Sequence, residues 1–464
     1  MNSHMQHLTS LQQTIVALCT PQGSGAIGLI RLSGDDVFDI VKRCSKLASG
    51  ASLDAVTTHT IHYGWVVDQN GKHLDQVLFL VMRGPKTFTG QNVVEITCHN
   101  NPFLIDVLLR RMLECGARLA GNGEFTQRAV MLGKIDLIQA EAINDLIHAQ
   151  TAASLQYSLA QLEGSLSSWI GRIEQSVLEM MAFCEGSFEF LDEEMEFSDH
   201  IAVRLKDLIQ HVEKLLASYP KQQYIKQGVR VALIGSVNAG KSSLFNCLLD
   251  KKRAIVTPVA GTTRDTIEAG VFKEQEFITF VDTAGIRQTD DVIEKEGIDR
   301  SLQEAAGSDL ILLVLDSSWS LSEDVRSVYQ KIIDQYRDKI ILVHNKMDQK
   351  TTDNQLQYSG AQLSVSASEH KNIDQLYHIV FEKIQQLKGS HKIIGLLNQR
   401  QYELLARFLK DLQAIQSMVH VRRIDYELVS CRLKDALMLL SEMTGRSVSE
   451  AALDKVFQTF CVGK

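Results

Sequence analysis

The residues Gly235-Ser-Val-Asn-Ala-Gly-Lys241-Ser242 have the types and spacing of a phosphate cradle. They come directly after the apolar run Val229-Arg-Val-Ala-Leu-Ile234. A strand that ends in a glycine loop and opens a helix points backbone N–H groups at a phosphate, and the helix N-terminus adds the positive end of its dipole. Lys241 can reach the β/γ-phosphates, and the Ser242 hydroxyl can ligate Mg²⁺. One such loop arises by chance, so the reading rests on the motifs downstream of it.

Those motifs form a guanine-nucleotide set, in order. Thr262 and Thr263 lie in a Gly/Thr-rich stretch suited to a mobile switch. Asp282-Thr283-Ala284-Gly285 ends the apolar run Phe277–Val281. An Asp there serves the Mg²⁺ shell, and a Gly N–H senses the γ-phosphate. Asn345-Lys346-Met-Asp348 ends a third strand-like run, Lys339–His344. Its carboxylate matches the N1–H and 2-amino donors of guanine, a pair that adenine lacks. Ser366 and Ala367 end a fourth run, where a backbone N–H can meet the guanine O6. Loops at the carboxyl ends of successive strands are where a doubly wound sheet binds ligand.

These loops need a sheet, and the 464 residues offer more than one core. Two to four domains are expected. The 45% hydrophobic and 22% charged content is ordinary for a globular chain. No apolar run reaches the length of a membrane span, and no signal sequence opens the chain, so a cytoplasmic location is expected. The eight cysteines form no C-x-x-C pair, which speaks against a zinc knuckle or a disulfide framework. A net charge of −8 argues against a strong free-standing nucleic-acid binder. An RNA substrate would need a local basic patch or a partner's surface.

The fold class expected is α/β and all-α, in several domains. Residues 1–125 read as mixed α+β, with strands at Thr14–Leu18, Ala26–Arg31, Thr60–Val67, Gln76–Met82 and Asn92–Cys98, and helices at Asp35–Cys44 and Pro102–Cys115. Residues 126–223 turn helical. Leu155, Leu159, Leu162, Leu166, Ile170, Ile173 and Val177 step by three or four and predict one continuous helix. The acidic cluster Asp192–Glu196 marks a helix end or bend. Tyr219–Gln223 has linker character and precedes a Ras-like P-loop domain at 224–388. Helical periodicity returns over 389–464, at Leu405, Leu409, Leu412, Ile415 and Met418. The simplest arrangement inserts the nucleotide-binding domain into one helical domain built from both flanks.

The nucleotide set departs from the small-GTPase pattern. Ile286 stands where a Ras-like protein carries the glutamine that orients the attacking water. No arginine is an evident finger; Arg264 is a candidate, but Asp265 beside it offers a plain ion pair. Asn238 inside the loop can hold a monovalent cation against the phosphates or simply stabilise the loop by a hydrogen bond. Asp290, Asp291, Glu294 and Glu296 are the acids placed to orient water, and spacing alone does not rank them.

Several rarer strings then accumulate along nearly the whole chain. They are Gln13–Ala17 with Gly28–Gly34, Phe88-Thr-Gly90, Gly123–Arg128, Gly133–Asp136 with Gln139–Ala142, Asn238–Ser243, Ala260–Asp265, Asp282–Gly285 and the terminal Phe460-Cys-Val-Gly-Lys464. In these the chain resembles the MnmE (TrmE) family of bacterial tRNA-modification GTPases. The resemblance implies a GTPase activated by K⁺ and by dimerisation of G domains across the nucleotide face. It implies K⁺ at Asn238, Thr257, Val259 and Thr262, Mg²⁺ at Ser242 and Thr263, and Glu294 as the catalytic acid. The nucleotide-binding set becomes Asn238, Ala239, Gly240, Lys241, Ser242, Ser243, Thr257, Pro258, Val259, Ala260, Gly261, Thr262, Thr263, Asp282, Thr283, Ala284, Gly285, Asn345, Lys346, Asp348, Ser366 and Ala367.

The resemblance further implies that the N-terminal domain homodimerises and binds 5-formyl- or 5,10-methylene-tetrahydrofolate through Arg31, Glu95, Lys134 and Lys464. Cations suit the folate's glutamate tail, and a carboxylate suits the pterin donors. It names as partner the FAD protein MnmG, in a heterotetramer or larger, and as product a 5-carboxymethylaminomethyl or aminomethyl group on the wobble uridine of tRNA. Two departures stand out. His99-Asn-Asn-Pro102 replaces the family's usual His-Gly-Gly-Pro, and Ser236-Val237 replaces a common Arg-Pro. A ribosome-assembly GTPase would instead show a basic tail with a GxxG loop, and a one-carbon enzyme with a regulatory G domain would act without the flavoprotein.

Overall fold

A computed structural model describes residues 12–21, 23, 25–189, 194–236, 238–249, 255–258, 267–273, 276–282, 302–349, 356–388, 394–419 and 424–464. The chain divides into two compact units. One comprises Met1–Asn144, Gln161–Gln210 and Glu403–Lys464; the other comprises Asp145–Ala160 and His211–Tyr402.

The first unit holds a seven-stranded sheet in the order β3-β4-β5-β6-β2-β1-β7. Its strands are β1 (Ile15–Leu18), β2 (Ile27–Ser33), β3 (Ser45–Leu47), β4 (Thr60–Val67), β5 (His73–Met82), β6 (Val93–His99) and β7 (Arg118–Leu119). All pairings are antiparallel except β1 with β7. The period of two sorts the side chains. Ile30 and Leu32, Phe79 and Val81, and Val94 and Ile96 face the helices Val37–Lys42 and Pro102–Glu114, and form one core with Val37, Leu108 and Met112. Alternation then puts Arg31 and Glu95 on the opposite face, directly across from each other in register. Further helices come after the sheet, with Ser165–Glu189 packed on Tyr426–Thr444.

The second unit holds another seven-stranded sheet, in the order β14-β13-β12-β8-β11-β10-β9. Its strands are β8 (Val229–Ile234), β9 (Ile255–Pro258), β10 (Ile267–Lys273), β11 (Glu276–Asp282), β12 (Leu310–Asp316), β13 (Ile340–Asn345) and β14 (Gln362–Ser364). The five strands from β14 to β11 run parallel, and β10 and β9 continue antiparallel. Apolar runs such as Leu310–Leu315 are buried from end to end because helices cover both faces. Helices Lys241–Leu248 and Ile373–Lys388 pack on one face, and Glu323–Tyr336 packs on the other. This is the doubly wound architecture that the motif order requires.

Two expectations fail locally. The stripe from Leu155 to Val177 is not one helix. It breaks at Gly164, which adopts φ +94°, into Ala152–Leu162 and Ser165–Glu189. Leu166, Ile170, Ile173 and Val177 are buried on the second helix, whereas Leu155 and Leu159 stay exposed on the first. A periodic stripe does not register a glycine whose freedom at positive φ ends the helix. Tyr219–Gln223 is not a linker either: it begins the helix Tyr219–Gln227, with Pro220 in the first turn, where its missing N–H costs nothing. Buried Gln222 receives the Leu397 N–H at 2.7 Å, and Tyr219 stacks on Tyr402. The acidic cluster straddles the described residues; one helix ends at Glu189 and the next starts at Glu194.

Candidate nucleotide and ligand sites

At the end of β8 the chain turns through two positions that exclude larger residues. A Cβ on Gly235 would run into the Val314 carbonyl, and one on Gly240, at φ +86°, would run into Asn345 Nδ2. Asn238 between them takes φ +63°. Gly240 caps the helix Lys241–Leu248, so Lys241, Ser242 and Ser243 form its first turn, with both serines exposed. Lys241 is buried, and its Nζ donates to the carbonyls of Gly235 and Ser236 at 2.7 and 2.8 Å. Burial lowers its pKa, against the opposing pull of Asp282. A partly desolvated ammonium tied to its own loop is poised to exchange carbonyls for phosphate oxygens. Asp282 ends β11, buried, opposite Leu233 of β8. The strand thus brings a carboxylate beside the loop across a gap of more than 40 residues in sequence.

Asn345, at the end of β13, joins three motifs. Its Nδ2 donates to the Ala239 carbonyl at 2.9 Å, and its Oδ1 accepts from the Ala367 N–H at 3.1 Å. The side chain is buried, so these bonds fix the phosphate loop, the guanine loop and the Ser366–Ala367 turn as one body. Asp348 remains exposed, and the Ser366 hydroxyl donates to its Oδ1 at 2.5 Å. That bond holds the carboxyl below its usual range and leaves it ionised for a ligand. Ser366 is itself pinned by reciprocal backbone bonds with Lys371.

Not every expected residue falls in this view. Thr257 and Pro258 lie in β9, paired with Gly270 and Ala269. Val259, Ala260, Gly261, Thr262, Thr263, Thr283, Ala284, Gly285 and Glu294 lie outside the described residues. Sequence reasoning passes over Asp316, whose Oδ2 accepts from Lys346 Nζ at 2.6 Å. Its signal was its place as the last residue of an apolar strand, like Asp282 and Asn345.

A second cluster sits on the outer face of the first sheet. Arg31 Nε donates to Glu95 Oε1 at 2.7 Å, and both side chains are largely buried. Arg31 Nη1 donates to the Gly463 carbonyl at 3.3 Å, and its guanidinium lies 5.7 Å from the Phe125 ring and 6.0 Å from Phe88. The chain terminus is therefore part of the cluster. Gly463 takes φ +93°, and a Cβ there would come within 2.8 Å of the Leu18 carbonyl. The Cys19 thiol donates to the same Gly463 carbonyl, and burial raises its pKa despite the nearby Arg31. Sequence reasoning did not single out Cys19. Lys134 Nζ donates to the Pro85 carbonyl at 2.9 Å, so it braces the turn that carries Phe88. The His99–Pro102 string has structural work: Asn101 caps the helix Pro102–Glu114 by accepting from Phe103 N and Leu104 N, Asn100 Nδ2 donates to the Gly23 carbonyl at 3.3 Å, and His99 Nδ1 pairs with Asp75 at 2.7 Å.

Two family models match the chain: GTP-binding protein TrmE N-terminus over residues 14–134, and MnmE helical domain over residues 137–461. The tRNA modification GTPase MnmE of Aquifex aeolicus is 35% identical over 98% of this chain and 100% of that protein. The protein of the same description from Symbiobacterium thermophilum is 36% identical over 98% of this chain and 100% of its own length. With the phosphate loop, the buried Asp282 and the Asn345–Asp348 loop assembled on one sheet edge, the chain is a GTP hydrolase and belongs to the MnmE family of tRNA modification GTPases.

Proposed function

We propose that this chain is a potassium-activated GTPase that works with a flavoprotein of the MnmG kind to modify the wobble uridine of tRNA, using a one-carbon unit carried by tetrahydrofolate. The observation that carries the reading is the coexistence in one chain of a braced guanine site and the Arg31–Glu95–Gly463 cluster. A nucleotide switch alone has no use for the second.

The residues fit the groups that this reading requires. Ser242 and Asp282 offer hard oxygen donors beside the loop, as Mg²⁺ prefers, with Thr263 completing the set. Asn238, at positive φ within the loop, offers an amide oxygen for K⁺, joined by Thr257, Val259 and Thr262. A bound potassium ion supplies positive charge that a finger arginine supplies elsewhere. Lys241 and the loop N–H groups then hold the β/γ-phosphates, Asp348 reads the base, and Glu294 orients the attacking water in place of the missing glutamine.

In the other unit, Arg31 and Lys464 suit an anionic glutamate tail and Glu95 suits pterin donors, with Phe88 and Phe125 as apolar walls and Lys134 bracing the turn. The folate supplies the carbon that becomes part of the modification. The domain plan is 1–125 for folate and homodimerisation, 126–223 with 389–464 for the helical domain, and 224–388 for the G domain. The net charge of −8 supports a reading in which a local basic patch or the partner supplies much of the tRNA contact, in a cytoplasmic heterotetramer or larger.

The test is reconstitution. The purified chain, the flavoprotein and tRNA lacking the modification are combined with GTP, a tetrahydrofolate donor and an amine, and the uridine mass is read. Product should appear only with both proteins, and faster in K⁺ than in Na⁺. Product formed without the flavoprotein, or GTP hydrolysis indifferent to the cation, overturns the corresponding part.

A further inference from the structure

The guanine loop is braced from β12, a strand that contributes to none of the nucleotide motifs. Asp316 ends this strand opposite Asn345 in the parallel register, and the next N–H, that of Ser317, donates to the Asn345 carbonyl at 3.0 Å. The chain then folds back on itself. Ser318 donates twice to Asp316 Oδ1, from its backbone N–H at 2.9 Å and from its hydroxyl at 2.6 Å. The other oxygen, Oδ2, is turned to Lys346 Nζ at 2.6 Å.

Three features separate this pair from an incidental surface contact. Its side chains are only 27% and 17% exposed, so water screens it less than an open pair. Burial opposes ionisation of Asp316, yet the bonds from Lys346 and Ser318 outweigh it and hold the carboxyl below its ordinary range. Lys346 also adopts φ +64°, a conformation that persists in a non-glycine residue only where the surroundings over-determine it.

We propose that Asp316 is a positioning residue for guanine-nucleotide binding: locked by Ser318, it holds the Lys346 side chain in place before the nucleotide arrives. The inference rests on reading Asn345–Asp348 as the guanine loop. A lysine stem is long and freely rotating, and fixing it during binding subtracts from affinity. An acid that has already fixed it removes that loss. Asp316 touches neither base nor phosphate in this scheme. It acts only through Lys346, and so it should affect nucleotide affinity and leave the hydrolytic step alone.

The experiment is a double-mutant cycle on the full-length chain, read by titration with a fluorescent GDP. Asp316→Asn keeps the shape and the Ser318 acceptor but removes the ion pair. It should raise the GDP Kd about tenfold while kcat at saturating GTP stays within about twofold. In a Lys346→Met background the same change should move Kd less than about twofold. Ser318→Ala, a milder change that leaves the acid in place, should raise Kd about threefold and lose that effect in the same background. If Asp316→Asn melts early, Ser318→Ala decides. An unchanged Kd in the single variants, or an equal loss in the Lys346→Met background, overturns the proposal. Asp348→Asn run in parallel keeps the two readings apart. If it fails to admit xanthine nucleotide, the guanine assignment itself is wrong; if it does admit it, a null at Asp316 overturns the positioning role alone.

Discussion

The nucleotide site and the Arg31 cluster are built in contrasting ways. In the second unit Asn238–Ser243, Asp282, Asn345–Asp348 and Ser366–Ala367 come at or just after the carboxyl end of a parallel strand, and the sheet does no more than bring these short strings to one edge. In the first unit the central pair, Arg31 and Glu95, lies within strands, on the face of an antiparallel sheet. Arg31 and Glu95 are 64 residues apart and meet only because their strands pair; Gly463 is 432 residues from Arg31 and meets it because the terminus folds back. A site made of loop strings tolerates changes in its scaffold. A site made of paired faces depends on register, where a slip of one residue turns every side chain to the other face.

The sharpest break would come at Asp348. Replacing it with Asn turns one of the two carboxylate acceptors that match the guanine donors into an N–H donor and should weaken GTP binding on the order of 10³-fold or more, while admitting xanthine nucleotide. Competition between GTP and XTP checks it, and unchanged base preference would separate this loop from the base altogether. Glu294→Ala should come next, lowering hydrolysis on the order of 10²-fold with GDP affinity retained. Single-turnover rates settle that point. Near-normal turnover would move the water-orienting role to Asp290, Asp291 or Glu296.

The same contrast explains what could be read ahead of the structure. The phosphate and guanine strings announce both their residues and their strand ends, and β8, β11 and β13 stop where those strings predict. Bracing by Asn345 across Ala239 and Ala367 was not legible, because no local string encodes a contact between three loops. Arg31 and Glu95 entered through family resemblance; their ion pair arises from register that no spacing reveals. Cys19 and Asp316 were missed for the same reason, since each acts through a partner distant in sequence. At Gly164 and Tyr219 the pattern misleads in the opposite direction: the apolar stripe spans a glycine at positive φ, and a segment of linker character starts a helix with Pro220 in its first turn.

A smaller effect tests the tail. Gly463→Ala places a Cβ 2.8 Å from the Leu18 carbonyl at a φ that L side chains rarely adopt. Strain of a few kcal/mol should displace Val462–Lys464 and weaken tetrahydrofolate binding about tenfold, measured by calorimetry. GDP affinity should stay within about twofold, because the nucleotide site draws no residue from this segment. Loss of both affinities together would show that the two sites are energetically coupled.

The smallest effect concerns Asn101, the second of the two asparagines that replace glycines in the His99–Pro102 string. Its side chain accepts from Phe103 N at 3.0 Å and Leu104 N at 3.2 Å, so it satisfies two N–H groups that the helix cannot satisfy itself. Asn101→Ala should cost about 1 kcal/mol, and Asn101→Gly only a few tenths, since glycine is a tolerable cap. Thermal melting of the full chain would register the difference between the two variants. Tetrahydrofolate affinity should be unchanged in both, because Arg31 and Glu95 sit on the sheet face rather than at this turn. If the Gly variant instead binds folate more tightly, the turn belongs to the ligand site, and Asn101 trades affinity for a better-capped helix.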